Sequence, residues 1–353
     1  MSTLSKILER ILKDRLQKFI DEKGIIPQQQ HGFRKGFSTT TQLHRVTNHI
    51  KDALQSSLST GMVLVDIEKA FDRVWLNGLV YKLIKYNVPH YLIRIIFSFI
   101  NDRTYQVKVG KKLSPAQPIP FGVPQGAVLS PTLYCIYTAD APKLNDCEVS
   151  FFADDTAFYK SSRFCKTIEK SLRNAIRRYQ GYFRRWKVKL NIDKTQAIFF
   201  TKRISKQIPT TTLKLGSEEV NWCDTAKYLG LLMDKRLTLR KHTNYAANKC
   251  HVATRILYSL LNKRSKLYSA SKSLLYKVGI RPTMLYAAPI LQQAAKTNVQ
   301  KLQVAQNKVL RLATNSKWRT RIATIHELAQ ADTVPDYINR LTATFLANNG
   351  DRV

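Results

Sequence analysis

The sequence predicts an α+β fold in which a strand-rich centre lies between helical segments at both ends of the chain. Apolar side chains recur at helical spacing in residues 1–23 and again from about Leu237 onward. Short apolar and β-branched runs typical of strands cluster between them, at residues 62–65, 104–109, 149–152, 156–159, 195–201, 212–215 and 228–233. Because strands and helices are segregated along the chain, we expect an α+β centre and an all-α carboxy-terminal subdomain.

Local signals mark several helix boundaries. Gly24 stops the first helical pattern, and a second amphipathic pattern begins at about Thr39. Ser130 followed by Pro131 predicts another helix start, with Ser130 as its N-cap. The remaining helices before residue 237 are predicted from apolar spacing, at residues 76–84, 91–100 and 168–186.

Three carboxylates stand at the ends of apolar strands. The runs 149–152 and 156–159 flank Asp154 and Asp155, which predicts a tight hairpin, and Asp66 ends a separate strand. Adjacent carboxylates among apolar neighbours repel each other and lose solvation, so a cation between them is expected. Two Mg²⁺ ions about 4 Å apart would supply it and would support phosphoryl transfer. The alternative for the Asp pair is an ordinary turn, since Asp favours turns.

The chain is strongly basic, with 58 Lys and Arg against 24 Asp and Glu and a formal net charge of +34. Such an excess repels itself unless it meets a polyanion, and nucleic acid is the favoured candidate. A basic surface that serves only solubility is the alternative. A basic helix lying on an anionic membrane is less favoured, because the positive charge is spread over the whole chain. No apolar run approaches the roughly 20 residues of a bilayer span.

The cysteines predict neither a zinc site nor a disulfide framework. They are odd in number and scattered, without a CxxC pair, which indicates free thiols in a reducing, intracellular compartment. The five are Cys135, Cys147, Cys165, Cys223 and Cys250.

Six short motifs follow one another along the first two thirds of the chain. They are Gln30-His31-Gly32-Phe33-Arg34, Asp66 with Phe71 five residues on, Pro124-Gln125-Gly126, Phe152-Ala153-Asp154-Asp155, Asn191-Ile192-Asp193-Lys194-Thr195 and Tyr228-Leu229-Gly230. In this order they resemble the motifs of reverse transcriptases, most closely those of non-LTR (LINE-type, jockey-like) retrotransposons. The resemblance covers about residues 1–234, and the remainder is similar to the thumb of the same enzymes.

The resemblance implies a right-hand polymerase, with an antiparallel palm sheet carrying helices on one face, helix-rich fingers and an all-α thumb. The implied boundaries are residues 1–60 for N-terminally truncated fingers, 61–234 for the palm and 235–353 for the thumb. The implied reaction is RNA-directed DNA synthesis. Its implied partners are an RNA template, a DNA primer or target DNA and dNTPs, with no membrane. The implied location is the nucleus for target-primed insertion, with the cytoplasm as the alternative.

The resemblance also implies the roles of the acidic residues. Asp66, Asp154 and the backbone carbonyl of Ile67 would bind two Mg²⁺ ions, for which Mn²⁺ is the expected substitute, and Asp155 would complete the site. Lys194 would neutralise or protonate the leaving pyrophosphate; a solvated loop lysine is its alternative.

A second implied group forms the nucleotide pocket. Phe71 would exclude a 2′-hydroxyl beneath the incoming sugar; a core aromatic is the alternative. Gln125 and Gly126 would line the pocket, Gly126 because close backbone approach leaves no room for a side chain. Arg34 and Lys6 would hold the triphosphate, although Lys6 also fits a solvated helix face.

Primer and template contacts are implied further along the chain. The implied residues are Tyr228, Leu229, Gly230, Arg240, Lys241 and Arg255. Basic side chains with interleaved tyrosines fit a duplex that is bound through its phosphates, without recognition of its base sequence.

The chain departs from the family pattern at its amino terminus. It lacks the Arg-Pro-Ile-Ser strand of the fingers and the endonuclease usually found upstream, so we expect a piece of a polyprotein or a degraded copy. One alternative function is a catalytically defective RNA-binding remnant. Another is a group II intron-type reverse transcriptase or maturase, whose carboxy-terminal segments are not evident. A viral-type RNA polymerase is disfavoured, because such enzymes usually carry a second Asp where Phe71 stands.

Overall fold

The computed structural model describes residues 3–202, 209 and 212–350, and the chain divides into two compact units. The first unit comprises Met1–Ser38, Leu58–Phe199 and Arg203–Cys223, and the second Thr39–Ser57, Phe200–Lys202 and Asp224–Val353. The main sheet belongs to the first unit and most helices to the second. The predicted α+β class is therefore confirmed.

The helices and strands follow the sequence patterns closely. The helices are α1 (Thr3–Lys23), α2 (Thr39–Gln55), α3 (Leu76–Lys85), α4 (His90–Ile100), α5 (Ser130–Thr138), α6 (Cys165–Arg185), α7 (Arg240–Ile256), α8 (Tyr258–Leu261), α9 (Ser269–Leu275), α10 (Arg281–Met284), α11 (Ala288–Leu291), α12 (Lys296–Ala313), α13 (Ile322–Ala329) and α14 (Val334–Asn349), with a π-helical turn at Tyr276–Ile280. The strands are β1 (Ser59–Ile67), β2 (Thr104–Tyr105), β3 (Lys108–Val109), β4 (Lys112–Leu113), β5 (Gln117–Pro118), β6 (Glu148–Phe152), β7 (Asp155–Ser162), β8 (Leu190–Phe200), β9 (Leu213–Leu215), β10 (Glu218–Val220), β11 (Trp222–Cys223), β12 (Thr225–Tyr228) and β13 (Leu231–Asp234). Met1 and Ser2 of the first predicted helix lie outside the described residues.

The main sheet of the first unit has five strands in the order β11-β8-β1-β7-β6. Strand β7 pairs antiparallel with both β1 and β6, as an antiparallel palm sheet requires. The short edge strand β11 runs parallel to β8. Strand β1 is buried along almost its whole length, which explains its continuous apolar run.

Helix α6 covers one face of this sheet. Its buried side chains include Ile168, Leu172, Ile176, Tyr179 and Phe183, which recur every three or four residues and so form one apolar stripe. No helix in the described part of the chain combines the length and apolar character needed to span a membrane.

In the second unit, helix α2 packs with the helices that follow residue 234, although the sequence interpretation assigned it to the fingers. The division into regions 1–60, 61–234 and 235–353 stays a prediction. The run 228–233 was predicted as one strand, and this prediction is wrong. Strands β12 and β13 form a hairpin, because Leu229 and Gly230 both adopt positive φ, as a two-residue turn of this kind requires.

The start of helix α5 also differs from its prediction. The hydroxyl of Ser130 donates a hydrogen bond to the carbonyl of Pro124 and caps no backbone N–H. A distant side chain takes that role instead. The buried Glu9 carboxylate of α1 accepts hydrogen bonds from the backbone N–H groups of Val128 and Leu129, at 2.6 Å and 3.4 Å. A carboxylate there is stabilised by the positive end of the helix dipole.

Candidate active site

The pairing of three strands brings the predicted carboxylates to one end of the sheet. Val65 of β1 lies opposite Thr156 of β7, so the next residues along this register are Asp66 and Asp155. In the adjacent hairpin, Phe152 lies opposite Asp155. Asp154 therefore stands in a two-residue turn beside Asp66. The hairpin predicted from the sequence is confirmed, and its tip points to the end of β1.

The electrostatics of these carboxylates show that they act on one another. Loss of solvent contact and the charges of Asp154 and Asp66 raise the pKa of Asp155 to about 6. Loss of solvent contact and then the charge of Asp66 also raise the pKa of Asp154. The cluster therefore carries unfavourable negative charge at neutral pH that a cation would relieve.

Lys194 and Ile67 lie next to this cluster. The Lys194 ammonium is 4.0 Å from a carboxylate oxygen of Asp66, and its side chain is otherwise exposed. Ile67 is the last residue of β1, and its side chain is buried. Both positions agree with the predicted roles, which stay predictions.

A short loop after β1 is fixed against the predicted Pro-Gln-Gly turn. The backbone N–H of Val123 donates to the carbonyl of Phe71 at 2.8 Å. The side-chain amide of Gln125 donates to Asp72 at 2.8 Å. Asp72 and Gln125 are 53 residues apart in the sequence, so this link could be found only from the fold.

The Phe71 ring contacts two other aromatic rings, one at its face and one at an edge. It stacks on Tyr134, with centroids 5.1 Å apart, and meets the edge of Phe33 at 5.9 Å. Phe71 is half-buried, whereas Tyr134 is fully buried and its hydroxyl has no hydrogen-bond partner among the described residues. Burial and then the charge of Asp154 raise the pKa of Tyr134.

Gly126 is explained by its backbone conformation. Its φ is +78°, a backbone conformation that residues other than glycine rarely adopt. A Cβ atom at Gly126 would meet no protein atom within 4 Å, so the predicted steric reason does not come from this chain's own packing.

Gln30, which the sequence did not single out as a site residue, supports the catalytic hairpin. Its buried side-chain oxygen accepts hydrogen bonds from the backbone N–H of Gly32 at 2.8 Å and of Ala153 at 3.0 Å. A Cβ on Gly32 would lie only 2.2 Å from the Ala153 nitrogen, so this loop packs directly against the turn that carries Asp154. The available sequence signal was its position at the start of the motif Gln30-His31-Gly32-Phe33-Arg34.

Replacing Gln30 with Leu should lower the maximal rate of DNA synthesis about 10- to 100-fold, because Asp154 loses the support of its turn. Two buried N–H groups would lose their acceptor, at a cost of about 1–3 kcal/mol in unfolding free energy. Steady-state kinetics and chemical denaturation measure the two effects. Gln28→Leu makes the same change at an exposed neighbour and should have neither. Equal kinetics for both variants would contradict the positioning role.

The two residues predicted to hold the triphosphate, Arg34 and Lys6, lie on different elements. One nitrogen of the Arg34 guanidinium donates to the carbonyls of Pro27 and Gln30, each at 3.2 Å, so this side chain also stabilises its own loop. Lys6 is exposed on α1. Their contacts to a triphosphate stay predictions.

The predicted primer and template residues belong to the second unit. The turn of β12 and β13 packs against Tyr286, whose hydroxyl donates to the Leu229 carbonyl at 2.8 Å. The side chains of Arg240, Lys241 and Arg255 are exposed on α7, as a phosphate-binding surface requires. Their contacts with nucleic acid stay predictions.

The carboxylate cluster fits hard divalent ions by its chemistry. Carboxylate oxygens are preferred Mg²⁺ ligands, and Mg²⁺ is usually held by one or two carboxylates together with substrate phosphates and water. Among the described residues, no three His, Cys, Asp or Glu side chains form a preassembled metal cage. The residues therefore fit ions that bind together with a nucleotide.

A stability measurement can test this charge cluster. The raised pKa of Asp155 means that the folded chain binds a proton more tightly than the unfolded chain between about pH 4 and pH 6. Its contribution to stability therefore falls as pH rises through this window. Because part of Asp155 still faces solvent, which screens its charge, the loss should be about 1 kcal/mol.

Urea unfolding of the wild type and of Asp155→Asn at both ends of this window measures the effect. The difference between the two proteins should appear only at the higher pH, and Mg²⁺ should restore stability there in the wild type. Asp146→Asn, an exposed change outside the cluster, should behave as the wild type. A pH-independent difference would contradict the charge coupling.

Comparison with known proteins agrees with this geometry. Residues 1–233 match the family model described as reverse transcriptase (RNA-dependent DNA polymerase). The chain is 34% identical to the probable RNA-directed DNA polymerase from transposon BS of Drosophila melanogaster, over 98% of this chain and 39% of that protein. It is 29% identical to the RNA-directed DNA polymerase from mobile element jockey of the same species, over 98% and 38% respectively.

A solved structure supports the fold. Telomerase from Candida albicans, in complex with a fragment of telomeric RNA, aligns with 93% of this chain and 58% of its own, at a TM-score of 0.50 and 13% identity. The chain spans about two fifths of the length of the curated relatives it matches.

Proposed function

Because this chain belongs to the reverse transcriptase family and is related to enzymes of jockey-like retrotransposons, we propose that it carries out RNA-directed DNA synthesis. The supporting observation is the convergence of Asp66, Asp154 and Asp155 at one end of the central sheet. In this reaction the 3′-hydroxyl of a primer attacks the α-phosphate of a dNTP, and pyrophosphate leaves.

The acidic residues would hold two divalent ions, Mg²⁺ or Mn²⁺, with the carbonyl of Ile67 as a further ligand. Held there, such ions would lower the pKa of the attacking hydroxyl and would stabilise the charge on the leaving phosphate. Lys194, next to Asp66, would neutralise or protonate the pyrophosphate. The mutual repulsion of the carboxylates favours ion binding, because each ion removes an unfavourable charge interaction.

The nucleotide would lie over the Phe71 ring. A ring held by stacking on Tyr134 cannot easily move aside, so a 2′-hydroxyl would collide with it. The hydrogen bond from Gln125 to Asp72 holds the Pro124-Gln125-Gly126 turn against the loop that carries Phe71. Gly126 has open space beside it, which the nucleotide would occupy. Arg34 and Lys6 would contact the triphosphate.

Template and primer would be held by positive charge. The net charge of +34 favours polyanions, and the exposed basic side chains of α7 would contact backbone phosphates. The partners we propose are an RNA template, a DNA primer or nicked target DNA, and dNTPs. For target-primed insertion the chain would act in the nucleus.

Primer extension on an RNA template with dNTPs and Mg²⁺ tests the proposal. We expect incorporation that stops when the metal is chelated and resumes when Mg²⁺ or Mn²⁺ is restored. Binding of the template and primer without any extension would overturn the proposal and would indicate an RNA-binding remnant.

A further inference from the structure

A cavity of about 720 Å³ in the first unit lies between α3, α6 and the segment after α5. Pockets of this size accommodate small ligands such as a nucleotide. Its lining includes none of the carboxylates or pocket residues assigned above. Aromatic rings and cationic side chains dominate the lining, chiefly Trp75, Tyr81, Trp186, Arg177, Arg178 and Arg185.

The rings form a partly exposed stacking surface. Trp186 is almost buried, with its ring centroid 6.4 Å from that of Trp75 and 6.2 Å from that of Tyr81. Tyr81 is 57% exposed, so it presents a ring to solvent. A large exposed aromatic ring supported by buried rings is suited to stacking on a nucleobase.

A buried lysine packs against this surface and links it to its surroundings. The Lys82 ammonium lies 3.6 Å from the centroid of the Trp186 ring and donates to Asp140 at 2.6 Å and to the Tyr182 hydroxyl at 3.1 Å. Asp140, the one carboxylate among the lining residues, is thereby neutralised, with Lys85 4.0 Å away as a second cation. The cavity keeps a net positive charge.

Three arginines supply this charge. Arg177, Arg178 and Arg185 are exposed on α6, and none forms an ion pair with any described residue. Arg178, Gly181 and Arg185 recur at helical spacing, so the two cations flank a glycine on one side of α6. Free guanidinium groups beside aromatic rings bind phosphates and also stack on bases.

We infer that this cavity binds single-stranded RNA, separately from the catalytic site. A base would stack on Tyr81, and the adjoining phosphates would be bound by the three arginines. Single-stranded RNA is favoured over a duplex because stacking on a side chain requires an unpaired base. The choice of RNA over DNA rests on the proposed function, in which an RNA strand is copied.

Gly181 allows the cavity to be filled without disturbing the fold. A Cβ atom there would meet nothing within 4 Å. Glycine within a helix is also unfavourable, so a larger residue at this position should stabilise α6. Gly181→Leu should therefore fill the cavity while making α6 more stable. Gly181→Ala is the matched control, because it gives the same helix stabilisation and fills little of the space.

The test measures fluorescence anisotropy of a labelled single-stranded RNA of about 12 nucleotides, with the protein saturated by an unlabelled RNA–DNA template–primer duplex. We expect Gly181→Leu to weaken binding about 10-fold and Gly181→Ala to leave it unchanged. Arg185→Gln should weaken binding, and the slope of log binding constant against log salt concentration should become less steep by about one. Arg184→Gln on the same helix should change neither quantity. Primer extension on a short template should stay at the wild-type rate in Gly181→Leu.

Three results would overturn the inference: unchanged binding in Gly181→Leu, equal effects of Arg184→Gln and Arg185→Gln, or tighter binding of single-stranded DNA of the same sequence. The test is independent of the proposed polymerase activity. Asp154→Asn should lose synthesis and retain this RNA binding. Gly181→Leu should retain synthesis and bind the single-stranded RNA more weakly.

Discussion

Replacing Asp154 with Asn should reduce DNA synthesis at least about 1000-fold, equivalent to about 4 kcal/mol of transition-state stabilisation. Asn keeps the size of the side chain but removes the charge that would bind a divalent ion. Because Asp154 stands in the turn beside Asp66, its loss should impair the site as a whole. Asp66→Asn should have a similar effect, since the two carboxylates would share the ions.

A stability measurement distinguishes loss of catalysis in Asp154→Asn from misfolding. The raised pKa of Asp154 shows that its charge is unfavourable in the metal-free fold, so Asp154→Asn should unfold at the same or a higher urea concentration than the wild type. Asp146→Asn, which removes an exposed charge elsewhere in the first unit, should leave synthesis unchanged. Wild-type synthesis by Asp154→Asn would remove the basis of the two-ion proposal.

Replacing Phe71 with Val should raise incorporation of ribonucleotides relative to deoxyribonucleotides about 10-fold or more. The ring is fixed by Tyr134 below and by Phe33 at its edge, so its truncation opens a space of defined position. Rejection of one added hydroxyl by steric exclusion corresponds to about 1–3 kcal/mol. Single-nucleotide extension with matched ribo- and deoxyribonucleotides measures the ratio.

The control for this prediction keeps the ring. Phe71→Tyr should preserve discrimination, because the aromatic face remains stacked on Tyr134. Phe71→Val also loses this stacking and should be less stable, so the ratio of the two substrates is the informative quantity and not the absolute rate. An unchanged ratio would return Phe71 to the role of a core aromatic.

Several features of the site could be predicted because they depend on local sequence. Asp66 follows an apolar run and Asp154 lies between two β-rich runs, so each strand end was visible in the pattern alone. The motif order then predicted which family the chain belongs to, and the comparisons confirm it. The charge excess indicated a polyanionic partner without any reference to fold.

Other features were missed because their partners are distant along the chain. Glu9 caps a helix that begins more than a hundred residues later, and Gln30 supports the turn at Ala153. A buried polar side chain has no periodic signature, since its position depends on which backbone N–H groups the fold leaves without a partner. The hairpin at Leu229 and Gly230 was missed for a local reason, because continuous β-rich residues concealed the turn.

The sequence by itself determined the class of elements and placed three acidic residues at strand ends, because periodicity and turn residues are properties of neighbouring residues. It indicated the family through the order of its short motifs. Only the tertiary structure decided that the register of β1 and β7 brings Asp66 beside Asp155, that Phe71 stacks on Tyr134 and that Lys82 contacts the Trp186 ring of an aromatic cavity. These contacts depend on strand register and helix packing, which are fixed by the burial of whole faces and not by any single stretch of the chain.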